Sequence, residues 1–167
     1  MPQTLEEFAR EVQRILKRDP GPSGRDEVRR LLEALLREES FVAEHLQDEH
    51  PPSRLLYRDA ELGFSVIGYV NRDAQETHAP PHDHGASWAI YGQAVGSTFM
   101  DEWEVVVPGT PERPGKVRKS KSYELAPGNA RLYNERDIHS PSRYTPTKFV
   151  RVEGGVMEGR LVYESVS

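Results

Sequence analysis

The residues best suited to chemistry are His82 and His84, separated by one residue in Pro80-Pro81-His82-Asp83-His84-Gly85. In an extended chain alternate side chains share a face, so both imidazoles point the same way and can grip one ion. The two prolines ahead of them remove backbone donors and stiffen the entry to a strand. A solvated loop with incidental histidines is the competing reading. A third ligand is needed, and His139, in Arg136-Asp137-Ile138-His139-Ser140-Pro141, is the best candidate. It lies some 55 residues after His84, beyond a turn at Ala126-Pro127-Gly128-Asn129 and a strand Ala130–Tyr133. Alone it reads as a structural or surface residue; beside the pair it reads as their partner. The chain has six histidines and no cysteine. Disulfides, thiolate metal sites and thiol nucleophiles are therefore excluded, and any transition metal must rest on imidazole and carboxylate, where imidazole suits Fe, Zn, Cu or Ni. His78 is a weaker candidate for a fourth ligand, and His45 and His50 read as surface residues. Ser87 lacks the G-x-S-x-G elbow of a hydrolase.

The elements that must position these groups follow from patterning. Thr4-Leu5-Glu6-Glu7 is a capping box, and Leu5, Phe8, Val12, Ile15 and Leu16 follow as one apolar helical stripe. Asp19-Pro20-Gly21-Pro22 stops that helix. A second helix is expected from about Arg25, capped by Ser23, with Val28, Leu31, Leu32, Leu35 and Leu36 buried. A third short piece is expected around Phe41–Leu46. From Arg54 the texture changes to short Val-, Ile-, Tyr- and Phe-rich segments between turn residues. Strands are expected near 54–59, 63–71, 86–92, 95–107, 121–126, 129–134, 146–153 and 160–166. Helices first and many short strands after predict a mainly β sandwich or barrel rather than βαβ units. Residues 1–50 form a helical segment too small to fold alone, and 51–167 the barrel domain.

Composition narrows the function classes. A length of 167 residues suits one domain, and a net charge of −5 argues against a general nucleic-acid binder or polybasic membrane anchor. No stretch approaches the roughly 20 apolar residues of a membrane-spanning helix. The acidic, amphipathic N-terminus lacks signal-peptide features, so a soluble cytoplasmic protein is expected. The single basic run, Lys116-Val117-Arg118-Lys119-Ser120-Lys121, follows Pro108-Gly109-Thr110-Pro111 and Pro114-Gly115, and reads as a solvated loop at a hairpin tip. Trp88, Tyr91, Phe99, Met100 and Trp103 are expected in the barrel core and pocket wall, with Trp88 and Tyr91 as the candidates to touch substrate.

With these residues in view, the sequence resembles the cupin superfamily, whose double-stranded β-helix (a jelly-roll barrel) carries two histidines one residue apart and a third in a later motif. Within it the likeness is to the thiol dioxygenases, of the cysteine and 3-mercaptopropionate dioxygenase type. The matching pieces are Leu56-Tyr57-Arg58, Gly63-Phe64-Ser65-Val66-Ile67, Pro81-His82-Asp83-His84-Gly85-Ala86-Ser87-Trp88, Gly92 or Gly96, and Asp137-Ile138-His139. They span roughly residues 54–155. The resemblance implies an iron(II) centre held by His82, His84 and His139, with Zn, Ni or Mn as other divalent options. It implies a small carboxylate or thiol substrate, dioxygen as co-substrate, and a homodimer. The usual cupin glutamate position falls at Trp88 or Ala89, so the site resembles the three-histidine variety. A cysteine–tyrosine cross-link is impossible without cysteine. Arg58 matches the arginine that holds the substrate carboxylate, where a guanidinium fork pairs bidentately; a surface salt bridge to Asp59 or Glu61 is the alternative. Asp83 should face away from the ligands; it is either a partner that supports them or a surface charge, and the surface charge is the preferred reading.

The sequence departs from that family at the late strand that carries a Ser-His-Tyr relay, where Phe149, Arg151 and Glu153 stand instead. If that strand turns these residues inward, Arg151 and Glu153 form an ion pair near the metal, expensive to desolvate and retained for function. An outward, solvated pair is the other reading. The expectation is thus a metal-dependent dioxygenase-like enzyme acting on a carboxylate-bearing substrate, with Arg151 and Glu153 tuning the pocket. A non-redox metal-dependent isomerase or hydrolase, and a binding or sensing protein without turnover, remain open.

Overall fold

The computed structural model describes residues 1–73, 76–155 and 158–166. Three helices open the chain: α1 (Leu5–Arg18), α2 (Pro22–Leu36) and α3 (Glu39–His45). Thr4 caps α1 by accepting the Glu7 amide at 3.2 Å, while the Glu7 carboxylate accepts the amide of Gln3 at 2.8 Å. The helix start expected at Arg25 lies earlier. Gly21 takes the cap and Pro22 opens α2, leaving Ser23 inside the helix. Proline suits that place because its fixed φ is helical and its missing N–H would have no partner there.

Ten strands follow among the described residues: β1 (Ser53–Arg58), β2 (Ser65–Asn71), β3 (Thr77–His78), β4 (Ala89–Val95), β5 (Thr98–Val107), β6 (Lys116–Leu125), β7 (Ala130–Tyr133), β8 (Ile138–Arg143), β9 (Thr147–Glu153) and β10 (Glu164–Ser165). They form two five-stranded sheets, ordered β1-β2-β9-β4-β7 and β10-β6-β5-β8-β3. Without the outermost β1 and β10, the orders 2-9-4-7 and 3-8-5-6 are those of a jelly roll, in which successive strands cross between two facing sheets. The fold is therefore a mainly β double-stranded β-helix with helices packed on it.

The helices cover the outer face of the first sheet. Phe8, Val12, Val28, Leu32, Leu35 and Phe41 share one apolar cluster with Val66, Val70, Ile90, Val150 and Val152. The close approach requires Gly92: a Cβ there would lie 2.5 Å from Leu36 and 2.7 Å from Leu32. Alternate residues of the same strands (Ala89, Tyr91, Phe149) turn into the barrel and meet Met100 and Tyr133.

Three expectations about the strands need correction. The basic run Lys116–Lys121 is the first half of β6, with Val117 buried and the charged residues exposed, because it pairs with β5 from Val107 onward. The segment 160–166 contributes only the two-residue β10, while Val162 makes a lone bridge to His82. The strand that carries His139, β8, is unanticipated, since Ser140-Pro141-Ser142 looks like a turn. Pro141 lacks an amide but its carbonyl accepts the Ala79 amide at 3.1 Å, so the ladder loses a single donor.

Candidate metal centre

His82, His84 and His139 are all buried, and one ring nitrogen from each lies within 4.8 Å of the others. Two of them are joined through the backbone. The His82 amide donates to the His139 carbonyl at 3.1 Å and the His139 amide returns the bond at 3.0 Å. This isolated bridge sets the rings 4.6 Å apart. The strand expected near 86–92 begins only at Ala89 as β4, and the ligand segment ahead of it is irregular, with His82 in isolated bridges and Gly85 turning at φ of 65°. A side chain at Gly85 would meet the Glu158 carbonyl at 2.1 Å, so the turn demands glycine for space as well as for φ.

Asp83 is not a surface charge. It points away from the histidines, as alternation predicts, but into protein, and it is completely buried. Its carboxylate accepts the amides of Gly85 (2.8 Å) and Leu161 (3.0 Å) and the Tyr163 hydroxyl (2.8 Å), and pairs with Arg136 at 3.3 Å. Burial alone would raise its pKa, yet these donors hold it below the ordinary carboxylate value. Arg136 reaches it from a left-handed backbone, φ 65°. The aspartate thus ties the ligand loop to the chain's last segment.

The donor atoms suit a metal. His82 Nδ1 lies 2.8 Å from the Pro80 carbonyl, which can only accept, so the proton is on Nδ1 and Nε2 is left as a ligand. His84 Nδ1 and both nitrogens of His139 are buried with no hydrogen-bond partner among the described residues. Buried polar atoms normally find partners, and a cation supplies what these lack. Burial, followed by the nearby charge of Arg151 and the other rings, pushes His84 to about 3. Burial and the two other imidazoles push His139 to about 2. All three rings are neutral at pH 7, the form that ligates. The Tyr133 ring stacks on His139 at 4.1 Å, and its hydroxyl touches that of Tyr123, which donates to Glu102 at 3.2 Å. Glu102 faces His139 across the β5–β8 ladder and pairs with Arg131 at 3.2 Å.

The structure brings together some of the other anticipated residues and separates the rest. Arg151 and Glu153 form an ion pair, and Arg151 Nη1 donates to the Tyr91 hydroxyl at 3.3 Å. That hydroxyl lies 3.4 Å from His84 Nε2, so Tyr91 links guanidinium to ligand. Arg151 also lies over the Tyr69 ring, 5.1 Å from its centroid. Burial lowers its pKa, but Tyr91, Glu153 and Tyr69 outweigh that and raise it. Trp88 does not face the barrel interior. It belongs to the apolar cluster under the helices, with Arg25 5.5 Å over its ring, because Ala89 rather than Trp88 takes the inward position in β4. Arg58 is exposed on edge strand β1, paired with Ser65, and makes no hydrogen bond or ion pair among the described residues. Its register is two strands from Glu153. His78 is exposed and bonded to Ser142 at 2.8 Å, not a fourth ligand. His45 and His50 are half-buried.

Sequence reasoning missed Tyr69, Tyr123, Tyr133, Glu102 and Arg143 as neighbours of the site. Alternation could have found two of them. Tyr69 follows Ile67 on the inward face of β2, and Arg143 follows His139 and Pro141 in β8 once that segment is read as a strand.

No protein-family model matches the sequence, and no curated protein matches it. Among solved structures, one similar chain is a Klebsiella pneumoniae protein described as having a double-stranded β-helix domain. It is 12% identical, with a TM-score of 0.48 over 74% of this chain and 88% of that one. A DMSP lyase, DddQ of Ruegeria pomeroyi, is 14% identical, with a TM-score of 0.45 over 66% and 50% of the two chains. KdgF from Halomonas is 15% identical, with a TM-score of 0.41 over 65% and 83%. At these similarities the strand order, rather than the neighbours, defines the fold.

Proposed function

We propose that this chain is a mononuclear metal-dependent dioxygenase of the cupin type, holding iron(II) on His82, His84 and His139 and acting on a carboxylate-bearing small molecule, with thiol carboxylates as the first class to test. The observation that carries the reading is the convergence of three buried neutral imidazoles, whose unpartnered nitrogens need a cation, with a guanidinium one tyrosine away. Bound iron(II) would supply open positions for substrate and dioxygen and the electrons that activate oxygen. The rest falls to the chain's own residues. His82 is kept in its ligating tautomer by Pro80. Arg151 fixes the Tyr91 hydroxyl beside His84, and Glu153 holds that guanidinium in place. The Tyr91 hydroxyl stands where it can donate to an atom near the metal, and the apolar walls of Met100, Tyr133 and Phe149 exclude water.

The test is anaerobic purification, metal analysis, then oxygen uptake with cysteine, 3-mercaptopropionate and other carboxylates. Iron at one equivalent with substrate-dependent oxygen uptake supports the reading. Turnover that ignores oxygen points to non-redox chemistry at the same histidines. A wild-type protein that binds no metal after reconstitution overturns the proposal.

A further inference from the structure

Arg143 is a half-buried cation apart from the histidine centre. It stands on β8 in the inward alternation of His139, four residues further on, about 13 Å away by strand rise. Its guanidinium carbon lies 4.2 Å from the Phe149 ring centroid. Its Nε donates to the Thr98 hydroxyl at 3.0 Å, and that hydroxyl donates to the Gln93 side chain at 2.9 Å. Thr98 and Gln93 are both buried, and Gln93 is itself fixed by a 3.0 Å bond to the Val95 carbonyl. The arginine is therefore held by its stem, with no hydrogen bond to its two terminal nitrogens among the described residues. Among the described residues no carboxylate is in ion-pair range of it, whereas Arg151 has Glu153. Burial, with the like charge of Arg151, lowers the Arg143 pKa, the direction expected of an uncompensated interior cation.

An aromatic wall connects this cation to the histidines. Tyr69 stacks on Phe149 at 4.5 Å with 6° between planes, Phe149 lies 6.4 Å from Tyr91, and Tyr91 lies 5.6 Å from His139. We propose that Arg143 is the carboxylate anchor of the pocket, and that the substrate is a carboxylate whose metal-binding head is separated from the anion by an apolar spacer, aryl or extended alkyl, lying along Tyr69, Phe149 and Tyr91. This deepens the functional reading above and rests on the same histidine centre. A guanidinium with a fixed stem and a free terminal fork pairs end-on with a carboxylate, and preorganisation spares the ordering cost of binding. A three-carbon thiol carboxylate held at the histidines would not reach Arg143, so cysteine and 3-mercaptopropionate test the metal centre alone and the longer acids test the anchor.

The test is direct binding, measured by calorimetry or ligand-observed NMR on the purified full chain, with benzoate, phenylacetate, 3-phenylpropionate and 4-phenylbutanoate as probes. We expect affinity to rise with spacer length. Arg143→Met should weaken the best acid about tenfold or more, Arg143→Lys should weaken it less, and Arg58→Met should leave it within about twofold. The neutral amide of the same acid should bind the wild type about tenfold more weakly, a comparison that needs no variant to fold. Equal affinity for acid and amide, or an Arg143→Met protein that binds the acid as the folded wild type does, overturns the proposal. Metal content of the wild type is measured separately. A metal-free protein that still prefers the acid sinks the dioxygenase reading and leaves the anchor standing; a metal-loaded protein indifferent to the acid does the reverse.

Discussion

At the scale of single residues, burial decides which groups can do chemistry. His84 and His139 have folded values near 3 and 2 against an ordinary 6.5. Their folded pKa lies below the unfolded one, so above pH 6.5 neither state is protonated and they contribute nothing to the pH dependence. Below it the unfolded chain gains protons that the fold refuses. The metal-free protein should therefore lose stability as pH falls from about 6.5 toward 3, by up to about 1.4 kcal/mol per pH unit for each ring. Thermal melts between pH 7.5 and 4.5 check this; a His84→Gln/His139→Gln double variant should have a shallower slope. Asp83 acts on the centre through the loop it anchors. Replacing it by Ala leaves Tyr163 and two amides without their acceptor and Arg136 with only the Gly159 carbonyl, and should cost about 3 kcal/mol and reduce metal retention. Urea titration with metal analysis of the folded fraction reads both, and unchanged metal affinity would show that the loop holds its shape without the aspartate. Tyr91→Phe removes the hydroxyl between Arg151 and His84. Metal content should stay near one equivalent while oxygen uptake falls about tenfold or more, the scale of a lost polar contact at a reacting centre.

At the scale of elements, each ligand depends on a backbone feature. His82 and His84 depend on the Gly85 turn, whose positive φ and lack of room make Gly85→Ala costly. A loss of about 2 kcal/mol or more in urea unfolding is expected, with weakened metal binding. His139 depends on β8 pairing with β5 and bridging to His82, a long-range contact that no local propensity dictates. The helices were legible because an amphipathic stripe is a local signal: Leu5 through Leu16 follow one face, and they are buried as a set. The start of α2 was less so, because Ser23 and Pro22 both carry N-terminal signals and proline's backbone geometry prevails. Pro141 and its serines disguised β8, since a residue that usually ends a strand is tolerated where one ladder donor is dispensable.

At the scale of the whole molecule, helices and barrel share one apolar cluster. Leu32 is fully buried where α2 meets Gly92, so Leu32→Ala should destabilise the entire domain by about 2–5 kcal/mol in a single transition. Two separate denaturation transitions would show that residues 1–50 unfold on their own. Among the described residues no helix is long and apolar enough to cross a membrane.

The sequence by itself determined the chemistry available: imidazole without thiolate, a His-x-His pair, and the succession of helices then short strands. These are carried by residue identity and by periods of two and 3.6, which act between near neighbours. Tertiary structure decided the rest. It brought His139 to the pair through a two-bond bridge, buried Asp83 against the chain's last segment, turned Trp88 toward the helices and left Arg58 at a sheet edge. It also set Arg143 on the inward alternation of β8, with no carboxylate in ion-pair range among the described residues. Side-chain direction depends on strand register, and register is fixed by pairing between segments far apart in the chain.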